Sequence, residues 1–176
     1  MRKYALLLVA TAAVLALASG VALAAEAIIG TDGPDTIRGT NGDDSVLAKG
    51  GNDEVSGRGG DDSLMGQEGQ DEVSGGPGVD VVSGGQGDDG GGRGDRPVGG
   101  LAGGPDNDLV EGQEGRDVVT DTAPDDRDEL YGNDGRDFLN GNDGDGRDRL
   151  DCGPGVDNFI ADPGDRVLAN CEINGV

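Results

Sequence analysis

The sequence repeats with a period of nine residues, and this period limits the possible folds more than any other feature. Seven consecutive nonapeptides fill residues 30–92 and read GTDGPDTIR, GTNGDDSVL, AKGGNDEVS, GRGGDDSLM, GQEGQDEVS, GGPGVDVVS and GGQGDDGGG. Position 4 is glycine and position 6 is aspartate in all seven, and position 8 is aliphatic in the first six. A low-complexity Gly/Asp tract would not hold an aliphatic residue in one register, so the period predicts an ordered repeat protein.

The register continues to residue 169 with interruptions. Residues 93–102 hold an extra residue and a degenerate copy, which has glycine at position 6 but keeps Leu101 at position 8. Two-residue insertions, 121–122 and 141–142, precede two later copies. Position 6 carries thirteen aspartates: Asp35, Asp44, Asp53, Asp62, Asp71, Asp80, Asp89, Asp108, Asp117, Asp128, Asp137, Asp148 and Asp157. Position 8 carries Ile37, Val46, Val55, Leu64, Val73, Val82, Leu101, Val110, Val119, Leu130, Leu139, Leu150, Phe159 and Leu168.

This pattern resembles the repeats-in-toxin (RTX, hemolysin-type) calcium-binding nonapeptide G-G-x-G-x-D-x-U-x, in which U is large and apolar. The resemblance covers nearly all of the chain after residue 24. It implies an all-β fold, a parallel β-roll (a β-solenoid) with two repeats in each coil. In such a roll the first six residues of a repeat form a calcium-binding turn and the last three form a strand. The middle residue of that strand, position 8, then faces a thin apolar core.

Residues two repeats apart stack in this arrangement, which places Asp35 near Asp53 and Asp44 near Asp62. Two carboxylates about 4.8 Å apart repel each other by roughly 1 kcal/mol in water, and by more at a protein surface. Divalent cations between successive turns reverse this repulsion, and ligand sets made only of oxygen suit Ca²⁺. We therefore expect several Ca²⁺ ions as cofactors, the thirteen position-6 aspartates as metal ligands, and folding that is coupled to metal binding. The additional acids at position 5 are expected at the rim without direct ligation: Asp43, Asp61 and Asp88.

Composition excludes several classes of function. The 176 residues include no histidine and two cysteines, so histidine-dependent nucleophiles and four-thiolate zinc sites are ruled out. A formal net charge of −23 and an aromatic content of 2% disfavour nucleic-acid binding. We expect no enzymatic activity and no catalytic residues, since each aspartate has a role in the repeat.

Residues 1–24 have the features of a secretory signal peptide. Arg2 and Lys3 are basic, an apolar run spans 5–18, and Ala-Leu-Ala at 22–24 supplies small residues for cleavage. The apolar run is short for a membrane span, although an uncleaved N-terminal anchor is the alternative. We expect a secreted, extracellular or cell-envelope protein without a membrane span after cleavage.

The pattern divides the remaining chain into five segments. Arg93-Gly94-Asp95 is an adhesion-type tripeptide in the weakest of them, where a loop or hinge is the alternative to a functional site. The expected segments are an N-terminal lead-in (25–29), a first β-roll segment (30–92), a degenerate repeat or loop (93–102), a second β-roll segment (103–169) and a C-terminal cap (170–176).

The two cysteines are expected to form a disulfide. The distance in sequence between Cys152 and Cys171 is close to the length of one coil, which is two nonapeptides. This spacing places both on one edge of adjacent coils, and export from the cytoplasm favours oxidation. Two free thiols are the alternative.

These observations predict a secreted calcium-binding repeat protein that folds on binding Ca²⁺ between stacked Gly/Asp turns. Its role is expected to be structural, adhesive or calcium-sequestering outside the cell, with a cell-surface or matrix partner that the sequence does not identify. The alternative is a calcium-dependent folding or targeting module related to the repeat domains of secreted hydrolases and cytolysins, without catalysis of its own.

Overall fold

The structure is a computed structural model, and it describes residues 26–90, 100–121, 123–124, 126–144 and 146–171. The predicted signal peptide and the Arg-Gly-Asp tripeptide lie outside these residues. None of the described residues belongs to a helix that is long and apolar enough to cross a membrane. The described residues form fifteen strands: β1 (Glu26–Ile29), β2 (Thr36–Arg38), β3 (Asp44–Gly50), β4 (Glu54–Ser56), β5 (Ser63–Glu68), β6 (Glu72–Ser74), β7 (Val81–Gln86), β8 (Leu101–Ala102), β9 (Leu109–Gly115), β10 (Val118–Thr120), β11 (Glu129–Gly135), β12 (Phe138–Gly141), β13 (Arg149–Asp151), β14 (Asn158–Ala161) and β15 (Arg166–Val167).

Odd-numbered and even-numbered strands form two separate parallel sheets. The odd-numbered strands make an eight-stranded sheet in the order β1-β3-β5-β7-β9-β11-β13-β15. The even-numbered strands make a seven-stranded sheet in the order β14-β12-β10-β8-β6-β4-β2. The chain therefore alternates between the two sheets, and each coil contributes one strand to each of them. This is the predicted all-β parallel β-roll, and eight strands spaced by about 4.8 Å make it roughly 34 Å long.

Strand register follows the repeat. Ile37 pairs with Val55 and Val46 pairs with Leu64, both at the predicted separation of two nonapeptides. Each strand from β2 to β13 turns its position-8 side chain inward, because neighbouring residues alternate between the two faces, and β3 adds Ala48 to the core. The resulting core is one column of aliphatic side chains, which is buried at Ile37, Val46, Val55, Leu64, Val73, Val82, Leu101, Val110, Val119, Leu130, Leu139 and Leu150.

The interruption near residue 93 alters the register in a way that spacing did not predict. Leu101 of β8 pairs with Val73 on one side and Val119 on the other, so both sheets continue through this region. Two predicted nonapeptides, 84–92 and 94–102, therefore form one half-coil and not two. The first of them has glycine at position 8 and cannot fill the core, so the chain reaches Leu101 before it supplies an inward side chain.

The two ends of the roll also differ from expectation. The lead-in 25–29 contributes β1, whose Ile28 pairs with Val46 and packs against the core. In the last coil Leu150 pairs with Val167, so the prediction of Leu168 at the inward position is wrong. The last turn is one residue shorter than the regular turn, which moves the inward position back by one residue.

The predicted disulfide is present. Cys152 and Cys171 are bonded with a Cα–Cα distance of 5.0 Å, and the cysteine at 152 is fully buried against the core. Because a solenoid end is covered by a coil on one side only, this bond ties down the segment with the fewest neighbours.

Candidate metal-binding turns

The position-6 aspartates lie in two columns, one for each sheet. Each aspartate ends a turn and precedes the strand that follows, so successive coils place them in line. All thirteen predicted aspartates lie in these columns, and twelve are buried, whereas Asp35 in the first coil is partly exposed. Column A precedes the even-numbered strands and contains Asp35, Asp53, Asp71, Asp89, Asp117, Asp137 and Asp157. Column B precedes the odd-numbered strands from β3 onward and contains Asp44, Asp62, Asp80, Asp108, Asp128, Asp148 and Asp165.

One oxygen of each carboxylate connects neighbouring coils. The backbone N–H of Asp44 donates to Oδ1 of Asp62 at 2.8 Å, and the N–H of Asp62 donates to Oδ1 of Asp80 at the same distance. The same bond recurs along both columns with donor–acceptor distances of 2.7–3.1 Å. The columns are therefore ordered by backbone donors, which offset part of the repulsion between stacked carboxylates.

In ten of these aspartates the second oxygen, Oδ2, is buried and accepts no hydrogen bond from the described part of the protein. Oδ2 of Asp35 and of Asp44 instead accepts the N–H and the hydroxyl of the threonine four residues before it. A buried carboxylate oxygen without a donor is costly, because its hydration is lost and nothing replaces it. This state recurs at Oδ2 of Asp53, Asp62, Asp71, Asp80, Asp89, Asp108, Asp117, Asp128, Asp137 and Asp148.

Oδ2 lies inside the turn beside the first residue of its own repeat. A Cβ built at Gly112 would lie 2.5 Å from Oδ2 of Asp117 and 2.7 Å from the carbonyl oxygen of Gly132 in the next coil. Glycine at this position therefore lets a carboxylate oxygen and a backbone carbonyl oxygen from the neighbouring coil approach the same point. The turns bring together hard oxygen donors of the two kinds that calcium sites use.

Burial raises the pKa of seven column carboxyl groups far above the ordinary value of 3.8. The main cause is loss of hydration, the donated backbone N–H works in the opposite direction, and neighbouring carboxylates raise the pKa further. Charged carboxylates in the columns are therefore unfavourable unless a cation accompanies them. The pKa is raised to about 8 at Asp108, Asp117 and Asp128, and to about 7 at Asp80, Asp89, Asp137 and Asp148.

One column member was missed by sequence reasoning. Oδ1 of Asp165 accepts the N–H of Asp148 at 3.1 Å, which is the bond that connects the other neighbouring members of the two columns. The register that puts Leu168 at position 8 puts Arg166, and not Asp165, at position 6 of the last repeat. Because the final turn is one residue shorter than the others, counting in nines does not identify Asp165 as a column member. The only sequence signal is that an aspartate lies one residue before the expected position.

The position-5 acids form a second, outer hydrogen-bonding pattern. Oδ1 of Asp43 accepts the N–H of Asp61 at 3.0 Å, and Oδ1 of Asp61 accepts the N–H of Val79 at 3.0 Å. Asp88 accepts the N–H of Arg116 at 3.1 Å in the same manner. These exposed carboxylates satisfy turn donors at the rim, a role that the sequence analysis did not anticipate.

Two further groups of acids lie beside column B. Asp121, Asp126 and Asp128 can each offer an oxygen within 4.8 Å of the others, and so can Asp121, Asp143 and Asp148. Three of these five residues were not among the predicted ligands. The sequence signals that could have identified them are their irregular positions. Asp121 lies in an insertion, Asp143 directly follows one, and Asp126 replaces the position-4 glycine.

The fold and these turns define a class of protein, a parallel β-solenoid whose turns are lined by buried carboxylates. Four copies of the family model described as the RTX calcium-binding nonapeptide repeat match residues 24–55, 56–90, 101–120 and 125–145. The matches cover more than half of the chain, which therefore belongs to the RTX calcium-binding nonapeptide repeat family. No curated protein and no solved structure matches the chain.

Proposed function

We propose that this protein is a secreted, non-enzymatic β-roll that folds on binding Ca²⁺ between its stacked turns. The observation that carries the proposal is the recurrence of a buried, unpartnered Oδ2 in ten column aspartates. A single orphaned carboxylate can be tolerated, but ten of them in two lines indicate a repeated ligand position.

In this proposal the two carboxylate oxygens of a column aspartate, the turn carbonyls and the aliphatic core have different tasks. Oδ1 of each aspartate accepts a backbone N–H and sets the spacing between coils, while Oδ2 and turn carbonyls are held toward the interior of the turn. Bound Ca²⁺ would supply positive charge that neutralises the stacked carboxylates and would give their Oδ2 atoms a partner. The aliphatic column is one side chain deep, so the core alone supplies limited stabilisation. Folding therefore depends on ion binding in the turns.

An extracellular setting agrees with this chemistry. The expected affinity is that of extracellular calcium modules, with a Kd on the order of 10⁻⁴ to 10⁻³ M. The proposed signal peptide at residues 1–24 would deliver the chain to such a compartment, where the disulfide between Cys152 and Cys171 is stable. With ions buried between coils, we propose a structural role for calcium and for the folded roll outside the cell.

Circular dichroism of the purified protein tests the proposal directly. We expect a largely disordered spectrum in excess chelator and a β-sheet spectrum at calcium concentrations on the order of 10 mM. Calorimetric titration in parallel gives the number of ions bound per chain.

Magnesium at the same concentration is the matched control, because its demand for octahedral geometry and retained water should leave the chain largely unfolded. A spectrum that is the same in chelator, magnesium and calcium would show that folding is not coupled to calcium, and the proposal would then be wrong.

A further inference from the structure

The turn between β10 and β11 departs from the repeat. A regular turn runs over six residues from position 1 to position 6, as in 103–108, whereas the turn 121–128 has eight. The N–H of Asp121 donates to the carbonyl of Asn140 at 2.8 Å, and the N–H of Gly57 makes the same bond to Ser74 at 2.9 Å in a regular turn. Asp121 therefore occupies the place of the position-1 glycine, and it brings a carboxylate to a point where most other turns have glycine and no side chain.

The turn stacked on it, 141–148, is also two residues longer than a regular turn. A Cβ built at Gly141 would lie 3.5 Å from Oδ2 of Asp148, compared with 2.5 Å between a Cβ at Gly112 and Oδ2 of Asp117. Oδ2 of Asp148 is thus about an ångström farther from position 1 of its own turn than Oδ2 of Asp117 is. The two eight-residue turns lie in successive coils, because the strands that follow them, β11 and β13, pair with each other.

Three buried carboxylates of these two stacked turns lie near one another. Asp121 is 2% exposed, and its Oδ2 accepts no hydrogen bond from the described residues. Asp128 and Asp148 are fully buried, and the Oδ2 of each is also without a donor. Oxygens of Asp121 and Asp128 lie within 4.8 Å of each other, as do oxygens of Asp121 and Asp148.

Two more acids extend the group. Asp126, which is 7% exposed, joins Asp121 and Asp128, while the partly buried Asp143 joins Asp121 and Asp148. The pKa of Asp121 is raised to about 6, chiefly by burial and also by the negative charges of Asp126 and Asp143. Carboxylates of column B and of residues near the insertions therefore lie around Asp121.

We propose that Asp121 is the centre of a divalent-cation site outside the nonapeptide register, in which Asp128 and Asp148 contribute buried oxygens and Ca²⁺ is the occupant. This site differs from the repeat turns because its ligands are mainly side chains, and a larger number of carboxylates favours tighter binding. Two groups of three oxygens that share Asp121, each within 4.8 Å of one another and on turns of irregular length, suit the flexible coordination of Ca²⁺ better than the rigid octahedron of Mg²⁺.

Asp121→Asn tests this site with little change in side-chain volume. The matched control is Asp106→Asn, which removes the same charge from an exposed position 4 in the regular turn one coil away. Asparagine tolerates the positive φ of 86° at residue 106. We expect calorimetric titration of the full chain to give at least one Ca²⁺ ion fewer for Asp121→Asn, while Asp106→Asn keeps the wild-type number.

Equal stoichiometry and equal affinity in wild type and Asp121→Asn would overturn the site. If Asp121→Asn does not fold in saturating calcium, crystals of the wild-type chain soaked in Tb³⁺ decide the question through anomalous scattering. A peak between Asp121, Asp128 and Asp148 supports the site, and occupied regular turns without such a peak contradict it. A peak here without ions in the regular turns would instead contradict the proposed function and leave this site standing.

Discussion

At the residue scale, aspartate at position 6 uses its two oxygens for different tasks. Oδ1 of Asp80 accepts the N–H of Asp62 at 2.8 Å, while Oδ2 of the same residue is buried without a donor. Asparagine could keep the first interaction. At the position of Oδ2, however, it would present either an amide NH₂ group or an uncharged oxygen. Under the proposed function, position 6 therefore needs the negative charge of a carboxylate at Oδ2 as well as a hydrogen-bond acceptor at Oδ1.

Adjacent glycines in one turn allow a sharp test of backbone geometry. Gly60 has a φ of 102°, and a Cβ there would lie 2.5 Å from the carbonyl carbon of Gly42 and 2.6 Å from the nitrogen of Asp43. A Cβ at Gly59 would meet only the carbonyl oxygen of Pro77, at 3.6 Å. We expect Gly60→Ala to lower the free energy of unfolding in saturating calcium by about 2–4 kcal/mol, because left-handed backbone and overpacking both oppose it.

Gly59→Ala is the control, and we expect its free energy of unfolding to lie within about 0.5 kcal/mol of wild type. Urea denaturation at fixed calcium concentration measures both variants. Equal destabilisation by the two substitutions would contradict the stacked-turn geometry around Gly60.

Most of the column aspartates could be predicted from the sequence because position 6 is counted from neighbours in an unbroken register. Asp165 could not, since the number of residues in the final turn decides which aspartate enters the column, and spacing alone does not give that number. Asp121 was missed for the related reason that an insertion carries no repeat position. Only the hydrogen bond from its N–H to Asn140 identifies it with position 1.

At the element scale, each strand is defined by one inward side chain and not by its length. The two sheets and their alternation followed from the period, because a coil of two nonapeptides brings every second repeat into register. The merging of 84–92 and 94–102 did not follow, since each nonapeptide was counted as one strand even where position 8 is glycine. Ten residues, 91–100, separate Gly90 from Leu101, where a regular nonapeptide has none, and Leu101 still pairs with Val73.

Deletion of residues 91–100 tests this register. It joins residues 84–90 to Leu101 and Ala102 and produces GGQGDDGLA, a regular nonapeptide with aspartate at position 6 and leucine at position 8. We expect the calcium-saturated variant to keep its β-sheet spectrum and a Tm within about 5 °C of wild type, because loop closure depends weakly on loop length.

Deletion of residues 91–99 is the matched control, since it leaves one extra residue between Asp89 and Leu101. That residue must form a bulge or turn Leu101 away from the core, so we expect a clearly lower Tm than for the ten-residue deletion. The reverse order of the two Tm values would show that Leu101 does not take the inward position that follows Asp89.

At the scale of the whole molecule, the charge of −23 belongs to the chain without its ions. The described acids are not evenly solvated, because two columns hold carboxylates in the interior of the turns. The sequence predicted this concentration of charge correctly, but it gave no measure of burial, which depends on how closely the coils stack. Protonation and calcium binding are consequently alternative ways of removing the same unfavourable charge.

Acid should therefore stabilise the metal-free roll. Carboxyl groups with a folded-state pKa of about 7–8 and an ordinary pKa of 3.8 bind more protons when folded, so stability is greatest at low pH and is lost as pH rises through 7–8. We expect metal-stripped protein to gain β structure in circular dichroism between pH 8 and pH 5, and calcium to bind more weakly at pH 5. Added NaCl at pH 8 is the control, because salt screens exposed acids far more than buried columns and should induce less structure. A metal-free spectrum that does not change between pH 8 and pH 5, in protein shown by light scattering to be monodisperse, would contradict raised pKa values in the columns.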